Sequence, residues 1–455
     1  MNLRNTIMNC KRINPLFIIA PLLLLSFFGY AQDSARKITL EEAIDLSLKN
    51  NKPLRAAQAR VDQATANTVI SKQNQLPDLK VSGSYLRLTQ PNITMAKSGS
   101  GGGGGGQSST PTIDQAAYGI VNLSLPVYSG LKIQYGIRSS EFLEKAATLD
   151  AMQDKDAVIM NTIDAFSNLY KARANLRVIR ENLAQSKSRD ADFANLEKNG
   201  LLARNDKLKA LLQTANIELT MADVENNMKV AMVNMNIMLG LPESTVLIPD
   251  SSSLTELASV KPMQEYEQLA MQNRKDMQAI GYRKKASEVG IQAAKADYYP
   301  SLALTSGYIA ADIPNFLTIT NAFTFGVGLS YNVSSLWKTN AHVTQAKARL
   351  AEVQANEEEL YDEVRRQVNQ AYEALMTANK KIEVTEASIE QGRENYKIVK
   401  NKYENSLLTV TDLLDANALM LQSQISYELA KADAIVAYNT LLERAGILAS
   451  SRNIK

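Results

Sequence analysis

In the stretch TVTDLLDA, Asp412 and Asp415 lie three residues apart, near the expected start of a helix at Thr411. That spacing puts both carboxylates on one helix face. Two carboxylates so placed could attract cations. Asp412 alone could equally serve the positive end of the helix in its first turn. The sequence leaves both readings open. Little else in the 455-residue chain could do chemistry. It has one cysteine, Cys10, and one histidine, His342, too few for most metal sites and for a nucleophilic site that needs a second histidine or cysteine. The glycine run in KSGSGGGGGGQSST, residues 97–110, ends without a Lys-Ser/Thr pair. A phosphate loop needs that pair, and needs its glycines between a strand and a helix. No catalytic, cofactor or metal site is expected.

The elements that would position these residues begin after a leader. Arg4, Lys11 and Arg12 precede the apolar run Leu16–Phe28, with Gly29 and Ala31 after it. The run is short of the roughly 20 residues of a spanning helix, and the small residues fit cleavage after Ala31. Residues 1–31 therefore read as a signal peptide. Removing its three basic residues leaves 47 of each sign and no cysteine. A neutral balance argues against nucleic acid as a partner. An exported chain without disulfides must be held by packing or oligomerisation.

The remainder repeats itself. QLPDLKVSGSY (75–85) matches YYPSLALTSGY (298–308) at an offset of 223. LSLPV (123–127) matches LSYNV (329–333), NGLLARNDKLKA (199–210) matches NSLLTVTDLLDA (405–416), and Gly240 matches Gly446, all at 206. The offset drops by 17 between positions 85 and 118, the window that holds the glycines. The glycine stretch is thus mostly an insertion in the first repeat, between two elements that the second repeat joins directly. The first repeat covers 32–240 and the second 263–446, with a linker or equatorial segment at 241–262 and a tail at 447–455.

Each repeat has two alternating apolar and small-polar segments, the strand signature. They are 79–89 with 118–128, and 301–310 with 323–333. Proline-free helical stretches follow, forming coiled-coil hairpins over 131–239 and 338–445. Leu375, Ile382, Ile389, Tyr396 and Tyr403 recur at heptad spacing in the second. Single helices are expected at about 39–76 and 264–297, ahead of each strand pair. Asn199-Gly200 and Asn405-Ser406 suit left-handed helix ends. The fold class is mainly α with a small β part. Four strands per chain cannot close in lipid, where a barrel needs at least eight, so two chains (eight strands) or three (twelve) would have to pool them.

The order helix, strand pair, long helix, turn, helix, given twice over residues 39–446, resembles the TolC family of outer-membrane efflux proteins. LPDL and YPSL at the first strand of each pair, LSLPVYSG at the strand-to-helix junction, and YENSLLTVTDLLDA (403–416) carry the likeness. The resemblance implies a homotrimer with a twelve-stranded barrel in outer-membrane lipid and a periplasmic α-helical tunnel. It also implies an exit duct joined to a periplasmic adaptor and an inner-membrane RND, ABC or MFS transporter. A soluble periplasmic coiled-coil scaffold or adaptor is the alternative, and an enzyme is not expected.

On this resemblance Asp412, Asp415, Tyr403 and Asp206 match the periplasmic entrance. Leu408 stands where many members carry a polar partner. The apolar turns Gly200-Leu201-Leu202 and Ser406-Leu407-Leu408 are candidate adaptor-docking tips, since exposed turns are usually polar. Trp337, Tyr298 and Tyr299 flank strands, as the interfacial aromatics of a barrel do.

Overall fold

The computed structural model describes residues 35–89, 113–250, 260–314 and 316–452. The leader, the glycine run and part of the 241–262 linker lie outside them. Helices dominate. The chain runs β1 (Arg36–Ile38), α1 (Leu40–Asn50), α2 (Lys52–Gln73), β2 (Asp78–Arg87), β3 (Gln115–Ser129), α3 (Lys132–Lys198), α4 (Arg204–Leu239) and β4 (Leu247–Pro249). It continues through α5 (Met263–Asn273), α6 (Lys275–Lys295), β5 (Ser301–Ile313), β6 (Leu317–Ser330), α7 (Ser335–Glu404), α8 (Val410–Arg444) and α9 (Leu448–Ser451).

Two single helices expected from the sequence are each broken in two. Asn51 is extended and its side chain accepts from Leu54 N–H, capping α2. Pro53 in the first turn of α2 explains the break, because a proline inside one long helix would lose a backbone bond and clash with the preceding turn. Arg274 is extended as well. Its guanidinium is only 5% exposed and is held by Asp276 at 2.5 Å and Gln367 at 2.8 Å.

β2, β3, β5 and β6 form one antiparallel sheet in that order, so strands of both repeats join at the β3–β5 pair. The fourth strand starts earlier and ends earlier than the expected 323–333. It pairs with β5 to Ile313, across a short turn and a bulge near Ile309. It stops at Ser330, because Asn332 turns the chain: its carbonyl and side chain accept from Ser335 N–H and Ser334 N–H. Alternation in the sequence thus runs on past the end of pairing. Register aligns Val81, Val121, Tyr308 and Phe323 on one face, with Leu79, Leu123 and Phe325 in the next row. Lys80, Asn122, Gly307 and Thr324 share the other.

Below the sheet the helices stand side by side. The order is α2–α3–α6–α7 nearer the sheet and α4–α3–α8–α7 further away. One flank of the molecule is therefore β2, α2 and α4; the other is β6 and α7. At the waist, β1 pairs in parallel with β4, a contact the sequence did not announce. With α1, α5 and α9 they cover the wall around Ile159, Phe166, Val368 and Leu441.

Three acids near this waist are desolvated. Burial pushes the carboxyls of Asp156, Asp164 and Glu443 above their ordinary range. Lys275 offsets this at Asp156, Lys171 at Asp164, and Arg444 with Arg274 at Glu443. A carboxyl raised in the fold stabilises it when protonated. That stabilisation is complete below the unfolded pKa and is lost as pH rises through the folded one. The thermal midpoint in mild detergent should therefore rise as pH falls from neutral toward about 5. Glu443→Gln should raise the neutral-pH midpoint and flatten this slope. A wild-type midpoint that falls steadily on acidification would contradict the sign.

Candidate functional site

The far ends of the two hairpins lie together. α3 and α7 each terminate in a Schellman turn. Leu201 N–H donates to Leu196 C=O and Gly200 N–H to Glu197 C=O; Leu407 N–H donates to Lys402 C=O and Ser406 N–H to Tyr403 C=O. Gly200 and Ser406 both have positive φ, 72° and 61°. Ser406 takes this conformation with a β-carbon, at a cost that glycine avoids.

The apolar pairs at the turns divide. Leu202 and Leu408 are half-buried, and Leu202 packs on a small cluster of Phe193, Ala210, Val410 and Leu413. Leu201 and Leu407 are 75% and 71% exposed. A Schellman turn commonly sets this residue against an apolar one five positions back. For Leu201 that position is Leu196, but for Leu407 it is Lys402. Local capping therefore does not account for an exposed leucine at 407.

Of the carboxylates, Asp412 is committed to the helix end. Thr409 caps α8, its N–H and hydroxyl donate to Asp412 Oδ2 at 2.9 and 2.6 Å, and Asp412 N–H donates to Thr409 Oγ1. These bonds hold the Asp412 carboxyl below the usual range. It stays exposed, as does Asp415 one turn further along, so the capping reading and the pore-facing reading are compatible. Asp206 in the first hairpin is bridged at 3.5 Å to Lys209, which also reaches Thr411 Oγ1 at 3.4 Å and so links the hairpins. Burial, and then the charge of Asp206, push the Tyr403 hydroxyl up. The Tyr403 ring lies 5.8 Å from that of Phe193. Phe193 and the Lys209–Thr411 link were not foreseen, since no spacing within one chain ties residues so far apart.

At the sheet end, Trp337 is 65% exposed in the first turn of α7, Tyr299 is exposed before β5, and Tyr298 is half-buried in a 3-10 turn. Phe323, Phe325, Val327 and Leu329 are exposed along one face of β6. No helix among the described residues is long and apolar enough to cross a membrane, which says nothing of a barrel. Nor do the described residues hold a cluster of metal-ligating side chains.

The outer membrane efflux protein family profile matches residues 43–241 and 267–446. The chain is 23% identical over 435 residues to the outer membrane efflux protein BepC of Brucella suis, spanning 94% of this chain and 90% of that one. It is 22% identical to the outer membrane protein OprJ of Pseudomonas aeruginosa, spanning 85% and 80%. The crystal structure of the outer membrane protein VceC from Vibrio cholerae superposes with a TM-score of 0.73 at 16% identity, over 90% of this chain and 96% of that one. With the profile covering most of its length, the chain belongs to the outer membrane efflux protein family: it is an outer-membrane exit duct with a long helical periplasmic extension.

Proposed function

We propose that three copies close into a ring, with a twelve-stranded barrel in the lipid and a helical tunnel below it. The ring conducts cargo passively, without catalysis, from a periplasmic adaptor and an inner-membrane RND, ABC or MFS transporter to the exterior. The observation that carries this reading is the pair of open flanks. β2 and β6 each have one edge without a partner among the described residues, and unmet backbone groups in lipid cost several kcal/mol each. The helix flanks match: α2 and α4 expose Ile70, Leu212 and Leu219, and α7 exposes Tyr361, Val384 and Ile398. Two different flanks meeting head to tail make a rotational ring. A soluble scaffold would have no use for a face bearing Phe325 and Val327 in water.

Fractionation of the mature protein with the outer membrane, and a trimeric mass in mild detergent, test the assembly; a soluble monomer would overturn it. At the entrance, three copies would bring six carboxylates from Asp412 and Asp415 around the opening. Asp412→Ala with Asp415→Ala should raise the divalent-cation concentration for half-block in planar bilayers by roughly an order of magnitude. Unchanged block would remove the carboxylate ring from the proposal. The tip leucines are the proposed docking points for the adaptor.

A further inference from the structure

Above the waist, one side of the helical wall carries a cationic patch that neither the repeat nor the duct requires. Arg138, Lys145, Met152, Ile159 and Phe166 follow one another at seven-residue spacing on α3, so they lie on one stripe. At the waist, Ile159 and Phe166 are buried in the core that includes Ile38, Leu40 and Ile44 of β1 and α1. In a duct the lumen is the free side and this covering layer is the outer one, so the stripe faces outward. Closer to the sheet nothing covers it, and Arg138 and Lys145 are exposed.

Two aromatic rings gather the charges there. Phe142 of α3 and Tyr282 of α6 have ring centroids 6.2 Å apart. The Arg138 guanidinium lies 5.9 Å from the Phe142 centroid. The ammoniums of Lys145 and Lys285 lie 5.7 and 5.1 Å from that of Tyr282. None of these three cations has an acidic partner among the described residues, whereas their neighbours Arg283 and Lys284 are paired with Asp150 and Glu357. The equivalent positions in the other repeat are Thr344, Ala351 and Asp62 for the cations, and Ala348 and Ala59 for the rings. The fold thus stands without the patch. Three like charges drawn together repel one another, and an anion between them removes that cost. The cation–ring contacts hold the side chains in place and lower the entropy lost on binding.

We propose that Arg138, Lys145 and Lys285, ordered on Phe142 and Tyr282, bind the phosphates of anionic phospholipid headgroups in the periplasmic leaflet of the outer membrane. The position favours this source. Arg138 lies six residues below the start of α3, about 9 Å, and Lys145 thirteen residues below it, about 20 Å. Headgroups extend about 5–8 Å past the hydrocarbon, and charge attraction reaches about 8 Å further at physiological salt, so Arg138 is the nearest of the three to the headgroups. Arg138 and Lys145 lean toward the N-terminus of α3, which is the membrane end, while Lys285 on the oppositely directed α6 leans away from it. The proposal rests on the barrel being in lipid.

The test uses the full-length assembled protein reconstituted in bilayers of phosphatidylcholine doped with brominated phosphatidylglycerol. Quenching of tyrosine and tryptophan fluorescence reports phosphatidylglycerol next to the protein. Wild type should show enrichment over bulk of at least roughly fivefold at low salt. R138A/K145A/K285A should lose it, and R138K/K145R/K285R should keep it. Equal thermal midpoints and equal insertion establish that the triple variant is folded. Enrichment unchanged in the alanine variant, or absent in wild type, overturns the proposal. So does competition by inorganic phosphate beyond that of sodium chloride at equal ionic strength, which would mark a site for a free anion. Co-sedimentation with purified peptidoglycan that is lost only in the alanine variant would assign the patch to a wall polymer instead. Failure of wild type to insert at all would count against the barrel reading, and is read separately by flotation.

Discussion

Gly446→Ala is expected to destabilise the assembled protein by about 3 kcal/mol, while Gly200→Ala costs only about 1 kcal/mol. Both glycines sit at nearly the same left-handed φ, 71° and 72°, in equivalent turns that end helices. The conformational cost of a β-carbon is thus the same at both, about 1 kcal/mol or slightly more. Their surroundings differ. A Cβ on Gly200 would meet nothing within 4 Å, whereas one on Gly446 would fall 2.7 Å from Arg274 N and 2.9 Å from Asn273 C. Those atoms are backbone at the break between α5 and α6, and Arg274 is itself pinned by Asp276 and Gln367. Neither side can yield cheaply, so overpacking adds to the conformational cost. Thermal or denaturant midpoints of the two variants in the same detergent measure the gap. Equal losses would mean that α5 and α6 move aside freely, and that the waist is less rigid than its buried arginine suggests.

Leu201→Asp with Leu407→Asp should lower export by at least roughly tenfold, with the amount of protein in the outer membrane unchanged. The two halves of that expectation have separate causes. The side chains are mostly exposed and belong to no buried apolar cluster among the described residues, so the fold does not depend on them. An exposed leucine at each turn is an apolar surface that a partner must cover to be useful, and a charge buried there would be costly. Leu202→Ala is the contrast: it packs beneath the turn and should lower stability before it alters docking. Export and co-purification of the adaptor that both survive the aspartates would withdraw the tips as docking points.

Most of the architecture was legible because it is local. The heptad through Leu375 and Tyr403 and the absence of proline specify long helices. Alternation from Phe323 to Leu329 specifies a strand. Asn199-Gly200 specifies a left-handed helix end. Each depends on residues within a turn or two of one another. Boundaries failed where periodicity hid a local break, as at Pro53 and Asn332, or where a distant contact overruled the local pattern, as at Arg274. The alternation through Val333 continues after β6 has lost its partner, and the stretch 264–297 looks like one helix, although Arg274 breaks it to reach Gln367 on α7. At the entrance, Asp412 was legible as an N-terminal acid, and the cap that binds it to Thr409 is a three-residue affair.

By itself the sequence determined the duplication and the kinds of element, since periodicity and backbone chemistry act along the chain. Only the tertiary structure decided that β3 and β5 unite the repeats in one sheet, that β2, α2 and α4 make one flank with β6 and α7 the other, and that Lys209 meets Thr411. It alone made Gly446 depend on Arg274 and set Arg138, Lys145 and Lys285 around two rings. Those facts depend on which surfaces pack together across hundreds of residues, and packing is settled by the shape and burial of the whole wall rather than by any neighbouring pair.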